Sequence, residues 1–312
     1  MFNKTCLARA RRLTLVIGLA TVATILTGAS GVIAHEEGAP FSAAIIDPLL
    51  VHHAHLEDEQ RLNMFFSKGF RRADGKKRFA FINEYELAIA KDFTWGAEIF
   101  IPFSTGGVGR DYGVGDIEIQ LIKWAFVNQP ATIVTAALSF TLPTGSERHG
   151  LGDGNTVFAP HLFFDQGLGN WYFGFNFAPN VNIRGSRGLS LEYSTVLSYS
   201  FIGEMEKEAS VPKQNWVLIP SLEFIGESGL RGEERGQTSI SLLPGLSVWH
   251  VRTGWQVHSG VQVPSSKRRE DDVRFLFQVG NHFDWTALGR TSAVKTASAN
   301  STMRAAHVVR SN

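Results

Sequence analysis

The sequence predicts an all-β protein, a single antiparallel transmembrane β-barrel of about twelve strands. One observation is strict alternation of polar and apolar residues, as in DIEIQL at residues 116–121, which is the period of a strand and not of a helix. The long and short connections between such runs also alternate along the chain. Finally, the tryptophans gather at one end of the predicted strands, as aromatic residues do at a membrane interface.

Residues 1–34 are predicted to be a signal peptide, with a cationic start, an apolar run at residues 13–26 and a cleavage site before His35. The only cysteine, Cys6, lies in this leader, which excludes disulfides and cysteine chemistry from the mature chain. The mature chain has no apolar run long enough for a spanning helix, so a closed barrel is the remaining way to cross a membrane. We therefore expect export to the cell outer membrane.

Residues 35–62 differ in composition from everything that follows. The stretch VHHAHLEDEQR at residues 51–61 is rich in histidine and acid, and we expect it to form a periplasmic cap or a plug inside the barrel. Imidazoles suit zinc, copper or nickel, so His52, His53 and His55 are candidate metal ligands. Their spacing matches no recognised metal site, and a polar cap without metal is the alternative.

The barrel is predicted over residues 63–285. Its twelve runs fall at residues 63–69, 79–90, 94–103, 115–127, 131–142, 156–164, 171–181, 190–202, 215–225, 238–249, 255–264 and 273–285. The link at residues 203–214 is too long for a tight periplasmic turn. Residues 286–312 are small and polar without periodicity, which is typical of a disordered tail.

All seven tryptophans fall at one rim of the predicted barrel. Five of them share the parity of the apolar residues on their strand. Trp124 and Trp249 have the opposite parity, which requires either a β-bulge or a ring that points inward.

If the apolar parity faces lipid, the opposite parity faces the lumen. The candidate pore-lining residues are Glu84, Glu86, Glu98, Asp116, Glu118, Gln120, His161, Glu192, Glu223, His258, Arg274 and His282, with Asn176, Gln256 and Gln278 of the same parity. This lumen is polar and acidic. It is either a wet pore that favours cations, or a filled lumen in which the acids pair with basic groups such as Arg61.

Partners follow from charge and composition. The formal net charge of +1 gives no bulk imbalance that would indicate nucleic acid. The expected partners are outer-membrane lipid and a small-molecule permeant. Residues 68–78 carry six basic residues and one acid, which indicates either a lipopolysaccharide-binding loop or a solvated loop tip.

We found no catalytic motif and no cofactor motif, so the prediction is a protein that is not an enzyme and has no cofactor.

Four segments resemble the outer-membrane transporter-like proteins of the MetA-pathway of phenol degradation family. They are VHHAHLEDEQRLN at 51–63, GVGDIEIQLIKWAF at 113–126, LSFTLPTGSERHGLGDGNT at 138–156 and GESGLRG at 226–232. The resemblance implies an outer-membrane barrel that passes small, aromatic or hydrophobic molecules. It supplies no functional residues.

The function predicted is passive uptake or export of small molecules through a porin-like channel. One alternative is a soluble periplasmic or secreted β-sandwich that binds a ligand, in which the apolar faces would pack against each other. A second is an outer-membrane enzyme acting on lipid, with Ser139 or Ser198 beside His161, His258 or His282.

Overall fold

The computed structural model describes residues 47–68, 77–90, 93–105, 112–204, 212–266 and 273–282. The predicted leader, most of the basic loop at residues 68–78 and the predicted tail lie outside these residues. No helix in the described ranges is both long enough and apolar enough to cross a membrane.

The described chain is almost entirely antiparallel strand. The strands are β1 (Glu59–Lys68), β2 (Lys77–Ala88), β3 (Trp95–Thr105), β4 (Tyr112–Val114), β5 (Ile117–Gln129), β6 (Thr132–Leu142), β7 (Thr156–Leu168), β8 (Trp171–Arg184), β9 (Leu189–Tyr199), β10 (Trp216–Arg231), β11 (Thr238–His250), β12 (Trp255–Pro264) and β13 (Val273–His282). A single 3-10 turn at Glu147–His149 lies between β6 and β7. β1 begins at Glu59, so residues 59–62 belong to the wall.

The sheet closes on itself because β1 pairs with both β2 and β13. Both β4 and β5 pair with β3, so together they form one interrupted strand and the wall is a closed twelve-stranded barrel. The predicted fold class and strand number are confirmed. A closed barrel has no free edge, so every wall strand has a hydrogen-bonding neighbour on each side.

Burial in the barrel is inverted relative to a soluble protein. Large apolar side chains on the strands are exposed on the outside, among them Phe66, Leu121, Leu162, Phe173, Leu222 and Phe275. Charged and polar side chains of the opposite parity are buried inside, among them Glu86, Gln120, Glu223 and His258. In a β-sandwich the apolar faces would be buried between two sheets. The soluble-sandwich alternative is therefore wrong, because the apolar faces are the exposed ones.

The first of two β-bulges in β5 explains the parity of Trp124. The register of β5 against β6 shifts between Gln120 and Ile122, and again between Ala125 and Val127. Each bulge adds one unpaired residue and therefore switches the face of the residues after it. As a result Trp124 points outward, 54% exposed, and Lys123 is buried inside the barrel.

Trp249 takes the other course and points inward. It is 3% exposed and packs with Val217, Ile219 and Val251 in a cluster inside the barrel. Of the two possibilities for a tryptophan of opposite parity, Trp124 therefore follows a bulge and Trp249 points inward.

The link between β9 and β10 is closed at its base by polar contacts. The Gly203 N–H donates to Gln214 Oε1, and Lys213 Nζ lies 2.5 Å from Glu204 Oε2. By contrast, the link between β7 and β8 contains two residues, and Gly169 adopts a φ of 61° there, as primed hairpin turns require.

Candidate functional site

Residues 47–58, which we call the inner segment, lie inside the barrel. Its first contact with the wall is Glu223 on β10, whose side chain is fully buried. This carboxylate accepts hydrogen bonds from three consecutive backbone N–H groups, those of Leu49, Leu50 and Val51, at 2.6, 2.8 and 3.0 Å. Bonds to an ionised acceptor are the stronger class of hydrogen bond, so Glu223 is a specific anchor for the segment.

The second anchor is Asp165 on β7. Its Oδ2 accepts from the N–H groups of Ala54 and His55 at 2.9 and 3.1 Å, and from the His55 ring at 2.8 Å. Its Oδ1 accepts from the hydroxyl of Tyr172 at 2.7 Å, and Thr135 donates to the Ala54 carbonyl. Sequence reasoning did not select Asp165, although it shares the inward parity of His161 on the same strand.

Apolar side chains of the inner segment complete its packing. Val51, Ala54 and Leu56 form a buried cluster with wall residues Ala125, Ile133, Ala137, Phe163, Tyr172 and Val196. The wall residues of this cluster are alanines, branched aliphatic residues and aromatic residues. Leu49 and Leu50 pack in a second cluster with Leu243 and Leu276, so the segment is held by two carboxylates and two apolar patches.

His53 and His55 are stacked, with ring centroids 4.0 Å apart. His53 Nδ1 lies 3.1 Å from the His55 carbonyl, which can only accept, so Nδ1 carries the proton. Its Nε2 then accepts from the Arg61 guanidinium at 2.7 Å. The two nitrogens of His55 face Asp165 Oδ2 and Asp47 Oδ1 at 2.8 and 2.9 Å, so this ring donates from both.

The pKa values agree with these roles. Burial lowers the pKa of His53 well below its usual value, and the nearby Lys123 and His55 lower it further. Burial alone would lower the pKa of His55 too, but hydrogen bonds to Asp165, Asp47 and Glu57 outweigh it and raise that pKa well above its usual value. At neutral pH His53 is therefore neutral and His55 is an imidazolium.

The predicted metal ligands are not brought together as a set of three. His53 and His55 lie beside Asp47, with donor atoms close enough to share an ion. His52 points elsewhere, with its ring 5.3 Å from that of Phe100 and 5.8 Å from that of His161. A metal at Asp47 would have to displace Arg61 from His53 and a proton from His55. Metal binding here stays a prediction that calorimetry tests.

Three of the candidate pore-lining acids belong to a buried ionic cluster. Arg61 contacts Glu59 at 2.8 Å and also Glu84. Lys123 lies 2.8 Å from Glu86 and 3.6 Å from Glu98. Each acid is charge-paired, which is the arrangement of a filled lumen. Lys123 was absent from the sequence prediction because the opposite parity of Trp124 allowed either a bulge or an inward ring, and only the bulge turns Lys123 inward.

The other candidates divide by depth and position. Gln120, Glu223 and His258 are fully buried, Arg274 is half-buried, and the side chain of His282 lies outside the described part of the structure. Asp116, Glu118, His161 and Glu192 line a partly open cavity of about 740 Å³ together with His52.

This cavity, which we call the vestibule, extends from mid-strand residues to the loops after β6, β8 and β10. Its described lining is strongly acidic, with eight acids against two arginines, and it includes Asp116, Glu118, Glu147, Asp153, Arg187, Glu192, Glu227, Arg231, Glu233 and Glu234. Acids around a concave surface raise the local concentration of cations.

Among the described side chains, which do not include that of His282, the serine and histidine pairs expected of a lipid enzyme are not formed by the predicted residues. The Ser139 hydroxyl donates to Glu118 at 2.5 Å. His161 Nδ1 faces Asn176, and His258 lies between Ser247 and Gln256. Ser247 and His258 do bond at 2.7 Å, but an amide stands where a catalytic triad has a carboxylate, and both residues are buried.

Comparison with solved structures gives outer-membrane β-barrel channels. The chain is similar to the COG4313 outer membrane channel from Pseudomonas putida F1, with a TM-score of 0.50, 13% identity, 77% of this chain covered and 100% of that one. It is also similar to the KdgM porin, with a TM-score of 0.45, 11% identity and coverage of 72% and 99%. Identities this low concern the fold alone.

No family model matches the chain, so the resemblance to the MetA-pathway family has no support from that comparison. No curated protein matches it either.

Proposed function

We propose that this protein is an outer-membrane channel for the passive passage of small molecules, and that the inner segment closes it. The observation that carries the proposal is that one part of the barrel interior is open and another part is filled. The vestibule is an open polar cavity, whereas the lumen beside it is occupied by residues 47–58. The segment is joined to β7 and β10 by hydrogen bonds and packing only, so it can leave without breaking the wall. The fold likeness to the COG4313 channel supports the same class of function.

The lining of the vestibule bears on the permeant. The family resemblance implies aromatic or hydrophobic molecules, but the lining is polar and acidic. Glu118 accepts a hydrogen bond from a hydroxyl, and Asp116 accepts hydrogen bonds from two backbone N–H groups. Neither acid has a salt bridge among the described residues. These acids, and not the charge-paired Glu84 and Glu86, would give the open channel a preference for cations.

Liposome swelling tests the channel proposal. Wild-type protein and a variant lacking residues 35–56 are reconstituted and challenged with sugars, amino acids and aromatic acids. We expect slow entry through the wild type and fast entry through the deletion variant, because the variant keeps the whole wall from Glu59 onward. Both proteins must migrate anomalously on gels when unheated, which shows that the barrel is folded. A folded deletion variant that admits no solute would contradict the proposal.

Localisation has its own test. We propose that the mature chain resides in the outer membrane, after removal of residues 1–34, with its exposed apolar belt against lipid. It should fractionate with outer membranes and require detergent for extraction.

Binding of lipopolysaccharide by the basic loop at residues 68–78 is a separate proposal. Loss of lipopolysaccharide binding when Arg71 and Arg72 are replaced by glutamine would support it.

A further inference from the structure

The vestibule contains a buried nitrogen that the channel proposal does not use. His161, on β7, is 6% exposed and lines the vestibule. Its Nε2 has no hydrogen-bond partner among the described residues. A buried polar atom without a partner costs free energy, so the site favours a ligand that satisfies it.

The protonation of this ring follows from its neighbours. Asn176 Nδ2 donates to Glu192 Oε1 at 3.1 Å, which fixes the orientation of the amide. Asn176 Oδ1 is then the atom that faces His161 Nδ1, at 3.3 Å. An amide oxygen only accepts, so Nδ1 carries the ring proton. His161 Nε2 is therefore a free lone pair, a hydrogen-bond acceptor.

Two acidic side chains that line the same vestibule, Glu118 and Glu192, also offer acceptors. Glu118 uses Oε1 to accept from Ser139, and Glu192 uses Oε1 to accept from Asn176. The His52 ring lies against His161, with ring centroids 5.8 Å apart. His161 Nε2 offers a lone pair in a cavity that Glu118 and Glu192 also line, and this set of acceptors suits a cation that carries several donors.

We propose that the vestibule binds a small organic cation, a primary ammonium or guanidinium compound, with His161 Nε2 and the carboxylates of Glu118 and Glu192 as its acceptors. This inference deepens the proposed channel function, on which it rests, because it names the class of solute that the channel admits. A bare metal ion fits less well. Within the described chain, the groups compact enough to hold an ion lie around His53 and Asp47, not around His161.

The cavity size agrees with an organic ligand. A volume of about 740 Å³ lies within the usual range of small-molecule sites. The acidic loop residues at its mouth would attract the cation before it reaches His161.

Titration calorimetry on the full protein in detergent tests the inference, with 1,5-diaminopentane as the probe. The matched probes are 1,5-pentanediol, which has the same length and no charge, and glutarate, which is an anion. We expect heat of binding for the diamine alone. His161→Phe and Glu192→Gln should each weaken diamine affinity by about tenfold or more, because each removes an acceptor for a charged donor. Glu204→Gln, at an exposed position outside the vestibule, should leave affinity unchanged.

The outcomes separate the inference from the channel proposal. Equal binding of the diol, or no binding of the diamine to wild type, overturns the inference, whether or not the liposomes swell. Diamine binding combined with an impermeable deletion variant would uphold the binding site and overturn the channel. If His161→Phe does not fold, the comparison of the three probes on wild type and on Glu118→Gln still decides.

Discussion

Replacing Glu223 with glutamine should release the inner segment. The carboxylate accepts three backbone N–H groups, with Leu49 on Oε1 and both Leu50 and Val51 on Oε2. Glutamine keeps the shape of the side chain but supplies one acceptor oxygen, and its NH2 group faces donors. The variant therefore loses at least one charge-assisted bond and weakens the others, while the wall contacts of β10 are unchanged.

The magnitude follows from the type of bond lost. A hydrogen bond to a charged group contributes about 1.5–3 kcal/mol, so the loss of one or two such bonds weakens docking by about 2–4 kcal/mol. This corresponds to an increase of about thirtyfold to several hundredfold in the population of the undocked segment. The anchor at Asp165 remains, so docking is weakened and not abolished.

Single-channel recording in planar bilayers measures the effect as open probability. The matched control is Glu204→Gln, the same chemical change at an exposed residue that pairs with Lys213. We expect the control to behave as wild type and Glu223→Gln to open far more often at the same conductance. An unchanged open probability in a folded Glu223→Gln barrel would refute the role of this carboxylate as an anchor that keeps the inner segment docked.

Three further predictions concern the same interior. A disulfide between cysteines placed at Ala54 and Thr135, which are in contact in the structure, should hold the channel closed until a reductant is added, whereas neither single cysteine should respond. Because hydrogen bonds raise the pKa of His55, its contribution to docking is complete below about pH 6.5 and is lost as the pH rises through the raised value. Open probability should therefore rise at alkaline pH, and His55→Gln should abolish this dependence. Lys123→Met leaves Glu86 and Glu98 buried without their cation, so the free energy of unfolding in urea should fall by about 3–5 kcal/mol, and a second change, Glu86→Gln, should restore part of it.

The wall could be predicted from sequence because a barrel in lipid reverses the usual burial at every second residue. Glu84, Glu86 and Glu98 alternate with outward apolar residues, so both strand and face follow from the period. Prediction of the inward face fails where a bulge interrupts this two-residue period. The first bulge in β5 reverses the faces of Lys123 and Trp124, and the parity of Trp124 alone could not distinguish a bulge from an inward-pointing ring.

The candidate site was harder to predict because its partners are mostly backbone groups. Parity placed Glu223 inside the barrel, but its partners are the N–H groups of residues 49–51, which every non-proline residue possesses. No side-chain pattern distinguishes those three from their neighbours. The histidines of the inner segment drew attention to metal chemistry, whereas the structure uses His55 as a charged donor between two carboxylates.

The distribution of charge inside the barrel explains how the segment can leave without loss of the wall. Lys123 pairs with Glu86 and Glu98, and Arg61 pairs with Glu59 and Glu84, and all six residues belong to the wall strands β1, β2, β3 and β5. When the segment withdraws, these pairs keep their counterions, so no unpaired buried charge is created. Glu223 and Asp165 lose their N–H partners but gain water in the space that the segment vacates. The free energy of opening is then confined to the contacts of the segment itself, which is the condition for a channel that opens while its barrel stays folded.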